Sequence, residues 1–214
     1  MGDKKEGRYT TPSSESYQEG SNNKVLSNIL GITDLAIMEN KESELLQDAY
    51  RTMLDKYQAD QKITENVICD LHKSWLGDVY SWAGEYRTVN MSKDGFVFAA
   101  AHLIPSLMQD FEKTHLSAHT PTECSNQDEL ARSLAIVHTE FILIHPFREG
   151  NGRLGRMIST LMALQAGYPI LDFSEILGEE RKRYFMAVQR GLDCDYDPMT
   201  GIFNSVLNKT LGSA

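Results

Sequence analysis

The sequence lacks the features that mark membrane, secreted or metal-centred proteins. No run of 18 apolar residues occurs, so we expect no transmembrane helix. The polar N-terminus has neither the apolar segment of a secretory signal peptide nor the Ser/Thr that a myristoylation signal places after Gly2. Cys69, Cys124 and Cys194 form no CxxC pair, which argues against a zinc site or a redox dithiol. These absences predict a cytoplasmic protein with free thiols.

The sequence also has no excess of basic residues. It contains 21 Lys and Arg against 30 Asp and Glu, which gives a formal net charge of −9. This charge argues against broad binding to nucleic acid or to an anionic membrane, although a small basic pocket stays compatible with it. The 214 residues, 41% hydrophobic and 24% charged, are enough to bury a core without disulfides or metals.

Hydrophobic periodicity predicts an all-α fold with one short β-hairpin. Residues 1–23 are polar and without period, and we expect a flexible polar arm there. Residues 24–211 show neither a linker nor a repeat, and we expect them to form a single domain. The predicted helices cover residues 33–58, 64–83, 101–117, 126–144, 152–166, 174–190 and 198–210.

Particular residues are expected to begin, end and bury these helices. Thr33 or Asp34 is predicted to cap the first helix, and Ser125 the fourth. Gly167 should end the fifth, and Pro169 should prevent its return. The residues expected on the buried face are Leu35, Met38, Leu45, Leu46, Tyr50 and Leu54 in the first helix, and Leu130, Leu134, Val137, Phe141 and Ile144 in the fourth.

One segment between the helices has the pattern of a β-hairpin. Polar and apolar residues alternate over Thr88–Met91, Asp94-Gly95 is a strong turn signal, and Phe96–Phe98 follows. We therefore predict a short hairpin within residues 87–98. Its exposed edge could pair with an extended segment of another protein, and the alternative is a purely structural hairpin.

The segment HPFREGNGRLGR, from His145 to Arg156, has the geometry of an anion site. Pro146 should end the preceding helix, and Gly150 and Gly152 permit the positive φ angles of a tight loop. The loop leads into a helix N-terminus, where amide N–H groups and the helix dipole attract an anion. Phe147 is expected to be a core residue.

Charged side chains in the same segment suit phosphate chemistry. Arg153 and Arg156 are three residues apart, so they emerge on one helical face and can bind a phosphate chain bidentately. Glu149 could provide a carboxylate for the Mg²⁺ that phosphates bring, and His145 has an ordinary pKa suited to a general base. Each residue has a common structural alternative, such as a helix cap or a solvated face. Their convergence on one segment favours function.

This segment is similar to HPFx[DE]GNGRxxR, the signature of the Fic family (filamentation induced by cAMP). The resemblance covers roughly residues 17–205 and extends to Trp82–Gly84, Arg87–Val89, Lys93–Phe96 and, in the N-terminal entry, Val25, Leu26, Asn28 and Leu30–Thr33. Ser27 and Ile29 depart from it, since relatives often carry lysines there. Every fixed position of the signature is met, by His145, Pro146, Phe147, Glu149, Gly150, Asn151, Gly152, Arg153 and Arg156.

The resemblance implies a protein adenylyltransferase, which moves AMP from ATP, with Mg²⁺, onto a protein hydroxyl. His145 would deprotonate the attacking Tyr, Thr or Ser, and Glu149 would hold Mg²⁺ between the α- and β-phosphates. The Gly150–Gly152 amides would form an anion hole. Arg153 would bind the β-phosphate and Arg156 the γ-phosphate.

The same resemblance assigns the hairpin and suggests an adenine contact. The hairpin would be a flap that positions the target hydroxyl over His145, with Lys93, Asp94 and Gly95 at its turn. Tyr184 is a candidate for the adenine pocket, and a core aromatic is the alternative. Two other functions stay open: transfer of a different phosphate-linked group, such as UMP or phosphocholine, or a catalytically silent nucleotide-binding module.

Regulation and partners are implied only through relatives. Many Fic proteins carry an inhibitory helix [ST]xxxE[GN], but Thr11–Ser16 and Glu15–Gly20 both fail to match it. Any inhibition is therefore expected from a separate small antitoxin, with the chain active when alone. Relatives of this size imply a toxin-like role on a cytoplasmic protein, with a topoisomerase as one candidate.

Overall fold

A computed structural model describes residues 17–177 and 181–212, which are mainly α-helical. The helices are α1 (Leu35–Lys56), α2 (Glu65–Leu76), α3 (Ile104–Phe111), α4 (Ser117–His119), α5 (Gln127–Ile144), α6 (Asn151–Gln165), α7 (Arg181–Arg190) and α8 (Asp197–Gly212). Strands β1 (Ser92–Lys93) and β2 (Phe96–Val97) form one antiparallel hairpin. The predicted helical fold with a hairpin is confirmed. No helix in the described ranges combines the length and apolar character needed to cross a membrane.

The residues fall into two compact units. Of the described residues, the first unit comprises those up to Lys56, Asn66–Pro105 and Pro146–Glu149, and the second comprises Tyr57–Glu65, Ser106–His145 and those from Gly150 onward. The predicted arm lies outside the described residues as far as residue 16. From Tyr17 the chain forms a turn in which Gln18 N–H donates to the Val25 carbonyl (2.8 Å). The domain limits at residues 24 and 211 stay a prediction.

In the first unit, the buried face of α1 includes a glutamate. Tyr80 O–H donates to Glu42 Oε1 (2.7 Å), and Trp75 Nε1 donates to the Glu42 carbonyl (2.8 Å). With these partners Glu42 can be buried. The predicted apolar face is wrong at Leu35 and Leu54, which are 42% and 43% exposed. The buried residues of α1 are Met38, Glu42, Ala49 and Met53.

Helix caps confirm one predicted residue and correct another. Asp34 Oδ1 accepts a hydrogen bond from Ile37 N–H (3.0 Å), so Asp34 caps α1 as predicted. The cap of α5 is Asn126 rather than Ser125, because the Asn126 side chain accepts from Glu129 N–H (3.0 Å). Glu129 Oε2 in return accepts from Ser125 N–H (2.9 Å). The reciprocal pair resembles a capping box, here shifted by one residue from the prediction.

In the second unit, α5 is the central helix and packs against α6, α7 and α8. Its predicted buried stripe, from Leu130 to Ile144, is confirmed. Helix α6 ends where expected, since Gly167 has φ +80° and Pro169 follows it. Other helices are shorter or interrupted: α2 stops at Leu76 rather than 83, a π-helical turn over Glu112–Leu116 follows α3, and a 3₁₀ turn over Ser174–Leu177 precedes α7.

Candidate functional site

His145 ends α5 in a left-handed conformation. Its φ and ψ are 53° and 58°, and its N–H donates to the Phe141 carbonyl (3.0 Å). Pro146 was expected to move His145 out of the helical region, and the structure confirms this. The residue that ends a helix in the left-handed conformation is usually glycine. A residue with a side chain is strained there by about 1–3 kcal/mol. The candidate general base thus lies at a strained position of the backbone.

The imidazole of His145 is buried, and one contact fixes its tautomer. Nδ1 lies 3.2 Å from the Ile142 carbonyl oxygen. Because a carbonyl oxygen only accepts hydrogen bonds, Nδ1 carries the proton in this contact. Nε2 of the neutral ring then has the lone pair, which is the state that a general base requires.

A glycine-capped loop leads into α6. Gly150 is the cap residue with φ 83° and ψ −3°, and its carbonyl accepts from Leu154 N–H (2.9 Å). Asn151 is fully buried and begins the helix, one residue earlier than predicted. The N–H groups of a first helical turn point outward along the axis, and the dipole adds positive potential. The start of α6 therefore has the geometry of an anion site.

The two motif arginines lie on the first turns of α6 and are half-buried. The guanidinium of Arg156 folds back toward the helix start, since a Cβ built on Gly152 would lie 3.8 Å from Arg156 Nη1. Arg153 is three residues earlier on the same helix. This part of the second unit therefore concentrates positive charge at a helix N-terminus, the arrangement expected for a phosphate chain.

The motif residues Pro146–Glu149 are buried in the first unit, where His72 holds them. The Phe147 ring stacks on His72 with centroids 4.0 Å apart, which confirms Phe147 as a core residue. Gly84 N–H donates to His72 Nδ1 (2.8 Å), so Nε2 carries the ring proton and donates to the Glu149 carbonyl (3.1 Å). Sequence reasoning missed His72; its place on the buried stripe of α2 was the available signal.

Arg87 holds the base of the hairpin. It is 4% exposed, and its Nη1 and Nη2 atoms donate to the carbonyls of Val89 and Ala99, both at 2.6 Å. Its backbone N–H donates to the Pro146 carbonyl (2.8 Å). Burial, and then the charge of Arg148, lowers the pKa of Arg87 to about 10, so the guanidinium is still charged at neutral pH. One side chain therefore joins the two chain segments that flank the hairpin.

The hairpin turn has the predicted chemistry. Asp94 and Gly95 have φ angles of 50° and 83°, as the favoured two-residue turns require, and both are exposed. Lys93 is half-buried and pairs with Phe96 across the strands. Val97 is 70% exposed. The predicted hairpin is confirmed, and its role as a docking flap stays a prediction.

Tyr184 lies in the core of the second unit, beside a histidine that sequence reasoning missed. It is 9% exposed, and its hydroxyl lies 2.8 Å from His138 Nε2. Burial raises the pKa of Tyr184 to about 12, against the opposing effect of the Arg156 charge. A histidine on the buried face of α5 was the available signal, because buried polar groups need partners. A contact of Tyr184 with adenine stays a prediction.

Glu149 is the candidate metal ligand in the motif. Within residues 17–177 and 181–212, no three His, Cys, Asp or Glu side chains form a group that could hold a metal ion. A carboxylate such as that of Glu149 suits Mg²⁺ when phosphate oxygens complete the coordination shell. The donor chemistry of this residue therefore fits a metal that arrives with a nucleotide.

Comparison with known sequences finds relatives of this chain. The sequence model of the Fic/DOC family matches residues 62–163. The chain is 33% identical to the protein adenylyltransferase VbhT of Bartonella schoenbuchensis over 161 residues, which are 74% of this chain and 33% of VbhT. It is 29% identical to the protein adenylyltransferase Fic of Drosophila mojavensis over 184 residues, 86% of this chain and 32% of that protein. The chain thus spans about a third of the length of these relatives.

Solved structures with the same fold are also Fic domains. The BepC protein of Bartonella tribocorum, with bound AMPPNP, has a TM-score of 0.69 and 23% identity over 85% of this chain and 91% of its own. A Fic domain from Bartonella quintana, with bound ADP, has a TM-score of 0.70 and 23% identity over 85% and 89% of the two chains. The family resemblance of the motif is thereby confirmed, and the chain belongs to the Fic/DOC family.

Proposed function

We propose that this chain is a protein adenylyltransferase that transfers AMP from ATP to a Tyr, Thr or Ser hydroxyl. The observation that carries the proposal is the complete motif, in which His145 ends α5 and the Gly150 loop begins α6 with two arginines. The names of VbhT and its Drosophila relatives support the activity at the level of the family. The structures solved with AMPPNP and ADP support nucleotide binding.

His145 would act as the general base. Its Nε2 accepts the proton of the target hydroxyl, and the hydroxyl oxygen attacks the α-phosphorus of ATP. The new O–P bond forms as the bond from the α-phosphorus to the bridging oxygen breaks, and pyrophosphate leaves with that oxygen. The contact of Nδ1 with the Ile142 carbonyl keeps the proton away from Nε2 before the reaction. In-line displacement of this kind depends mainly on positioning and electrostatic stabilisation.

The start of α6 would bind the phosphates. Amides of Gly150–Gly152 would face the phosphate oxygens, Arg153 would bind the β-phosphate, and Arg156 the γ-phosphate. Glu149 would hold Mg²⁺, which neutralises negative charge on the phosphate oxygens when bound. Donors fixed by a helix and a glycine cap need no rearrangement as charge moves to the leaving group, which is the basis of electrostatic catalysis.

The hairpin would dock the target. Its turn, Asp94-Gly95, and Val97 are exposed, and an extended segment of the target would pair with the edge of the hairpin. Lys93, at the same turn, would help to orient that segment. We also propose a cytoplasmic target, with a topoisomerase as one candidate, and restraint by a separate small antitoxin. These last proposals depend on the family resemblance alone.

Transfer of radioactive label tests the activity. We expect α-³²P-ATP with Mg²⁺ to label a protein in a lysate or the chain itself. His145→Ala should abolish the label, whereas His102→Ala, at an exposed histidine remote in sequence, should retain it. Mass spectrometry of the labelled protein identifies both the added group and the modified residue.

Each alternative function gives a different result in the same assay. Label transferred from α-³²P-UTP but not from α-³²P-ATP would indicate a uridylyltransferase. A target whose mass rises by that of phosphocholine would indicate a phosphocholine transferase. Tight ATP binding without label on any lysate protein would favour a silent nucleotide-binding module. Full labelling by His145→Ala would contradict the assignment of the general base.

A further inference from the structure

We propose that Tyr184, His138 and Ser159 are positioning residues that hold Arg156 in place through a directional chain of hydrogen bonds. The proposal rests on the proposed function, because the value of Arg156 lies in its contact with the γ-phosphate. None of the three residues belongs to the motif. All three are buried in the second unit, on α7, α5 and α6 respectively.

The donors and acceptors in this series of hydrogen bonds follow from its last acceptor, the Gly155 carbonyl oxygen. Ser159 Oγ lies 2.9 Å from the Gly155 carbonyl oxygen, which only accepts, so the Ser159 hydroxyl donates there. Its oxygen is then the acceptor for His138 Nδ1–H at 3.2 Å. His138 Nε2 in turn accepts from the Tyr184 hydroxyl at 2.8 Å. Each proton has one place, so both polar atoms of the His138 ring are satisfied.

The surroundings of His138 keep its ring neutral, as this series of hydrogen bonds requires. Complete burial and the nearby charge of Arg156 lower the pKa of His138 to about 3, against a smaller opposing effect of the Gly155 backbone. A neutral imidazole can accept at one nitrogen and donate at the other, whereas an imidazolium could only donate. The Tyr184 hydroxyl would then lose its acceptor. The hydrogen bonds of His138 and the positive charge of Arg156 therefore both favour a neutral His138.

Gly155 allows His138 to approach the backbone of α6. A Cβ at this position would lie 3.0 Å from His138 Cε1, 3.2 Å from His138 Nδ1 and 3.2 Å from Ile142 Cδ1. Such distances are tighter than side-chain packing tolerates without displacement. The ring of His138 thus lies directly against the residue before Arg156. A shift of this ring is transmitted to the helix that presents the guanidinium.

The position of Arg156 depends on the same helix. Its guanidinium lies over Gly152, one turn before its own Cα and at the start of α6. The hydrogen-bonded network restrains the rotation of α6 about its axis, because His138 Nδ1 on α5 donates to Ser159 Oγ on α6. Supporting hydrogen bonds of this kind keep a binding side chain in its productive geometry. In this arrangement Tyr184 acts through Arg156 and does not contact adenine.

Nucleotides of different length separate this role from its alternatives. We expect Tyr184→Phe to weaken binding of ATP, measured by calorimetry with Mg²⁺, by about five- to tenfold, the effect of losing one hydrogen bond in a network. Binding of AMP, which has no γ-phosphate, should be unchanged. The matched control is Tyr196→Phe, which removes the hydrogen bond to Glu140 (2.6 Å) and should bind both nucleotides normally.

A second substitution and a double-mutant cycle test the coupling. His138→Gln offers one acceptor and one donor and should keep more ATP affinity than His138→Leu. In the Arg156→Ala background, Tyr184→Phe should cause no further loss of ATP affinity, because its effect passes through that arginine.

The outcomes distinguish this inference from the proposed function. Equal loss of ATP and AMP binding in Tyr184→Phe would indicate a direct adenine contact and overturn the inference. Normal ATP binding in Tyr184→Phe, together with weak binding in Arg156→Ala, would overturn the positioning role alone. Normal ATP binding in Arg156→Ala would remove the proposed γ-phosphate contact and the inference with it.

Discussion

His138 shows how one buried residue links the site to the stability of the fold. Its ring receives a hydrogen bond from Tyr184 and donates one to Ser159, and it lies near the positive charge of Arg156. In the unfolded chain the same ring is solvated and has the ordinary pKa of 6.5. A proton taken up below that pH therefore binds the unfolded chain and is excluded from the folded one.

Lowering the pH should reveal the effect of His138 on the free energy of unfolding. With a folded pKa of about 3, His138 should make the free energy of unfolding fall as the pH decreases below 6.5. Its contribution is about 1.4 kcal/mol per pH unit between pH 6 and pH 4, the value for one proton. Urea unfolding of the wild type and of His138→Gln measures the difference between the two slopes. Parallel pH profiles in the two proteins would contradict a neutral, buried His138.

The sequence of the motif does not predict the backbone conformation or the tautomer of His145, nor the roles of His72 and His138. The motif identifies His145, but the left-handed backbone and the protonated Nδ1 depend on where α5 ends and on the Ile142 carbonyl. His72 and His138 lie outside the motif and matter through partners distant in sequence, Glu149 and Tyr184. The motif gives the residue type at each of its positions. The protonation state and the orientation of a side chain depend on tertiary contacts, which the motif does not contain.

At the scale of the elements, the hairpin is the clearest case of an element held by one side chain. Two-residue strands contribute few hydrogen bonds of their own, and a short isolated hairpin is marginal in water. Arg87 adds two charge-assisted hydrogen bonds, one to the carbonyl before β1 and one to the carbonyl after β2. The fork of a guanidinium can reach both acceptors at once.

Arg87→Lys should loosen the hairpin while the charge is kept. A lysine ammonium is a single point of charge, so we expect one of the two carbonyl contacts to be lost, at a cost of about 2 kcal/mol. The amide of Phe98, which donates to the Met91 carbonyl (3.1 Å), should exchange with deuterium faster in the variant. Lys113→Arg, at an exposed site in another segment, is the control and should leave this exchange rate unchanged. Wild-type protection in Arg87→Lys would exclude the proposed anchoring.

The elements also show which features of the fold local sequence can predict. Periodicity and turn chemistry predicted the helices of the second unit and the Asp94-Gly95 turn, since these signals act over a few residues. Helix ends were less accurate, because Asn126 competes with Ser125 for the same cap. The predicted buried face of α1 was right at Met38 and wrong at Leu35 and Leu54, and it omitted Glu42, whose carboxylate accepts from Tyr80, 38 residues away.

At the scale of the whole molecule, the net charge of −9 and the candidate site have opposite signs. The arginines and the helix dipole of α6 act over a short range, so a small anion with a metal can bind where a polyanion would be repelled. The overall composition predicted the absence of broad anion binding but gave no indication of this local field. That field comes from the arrangement of a few groups.

Binding of nucleotide should therefore stabilise the protein in a metal-dependent way. At 100 times its Kd, Mg²⁺-ATP should raise the free energy of unfolding by about 2.7 kcal/mol. For a chain of this size that corresponds to a rise in Tm of roughly 5–10 °C. ATP with EDTA should give a smaller rise, and Glu149→Gln should remove the difference between the two conditions. Equal rises with and without the metal in the wild type would contradict the role of Glu149.

The chain path through the motif has a consequence for fragments of this protein. Residues Pro146–Glu149 pack in the first unit, although they follow and precede segments of the second. A fragment that stops before residue 146 would remove the ring that stacks on His72 and the carbonyl that accepts from Arg87. Neither unit is a continuous stretch of sequence, so no single cut in the chain can yield either unit whole.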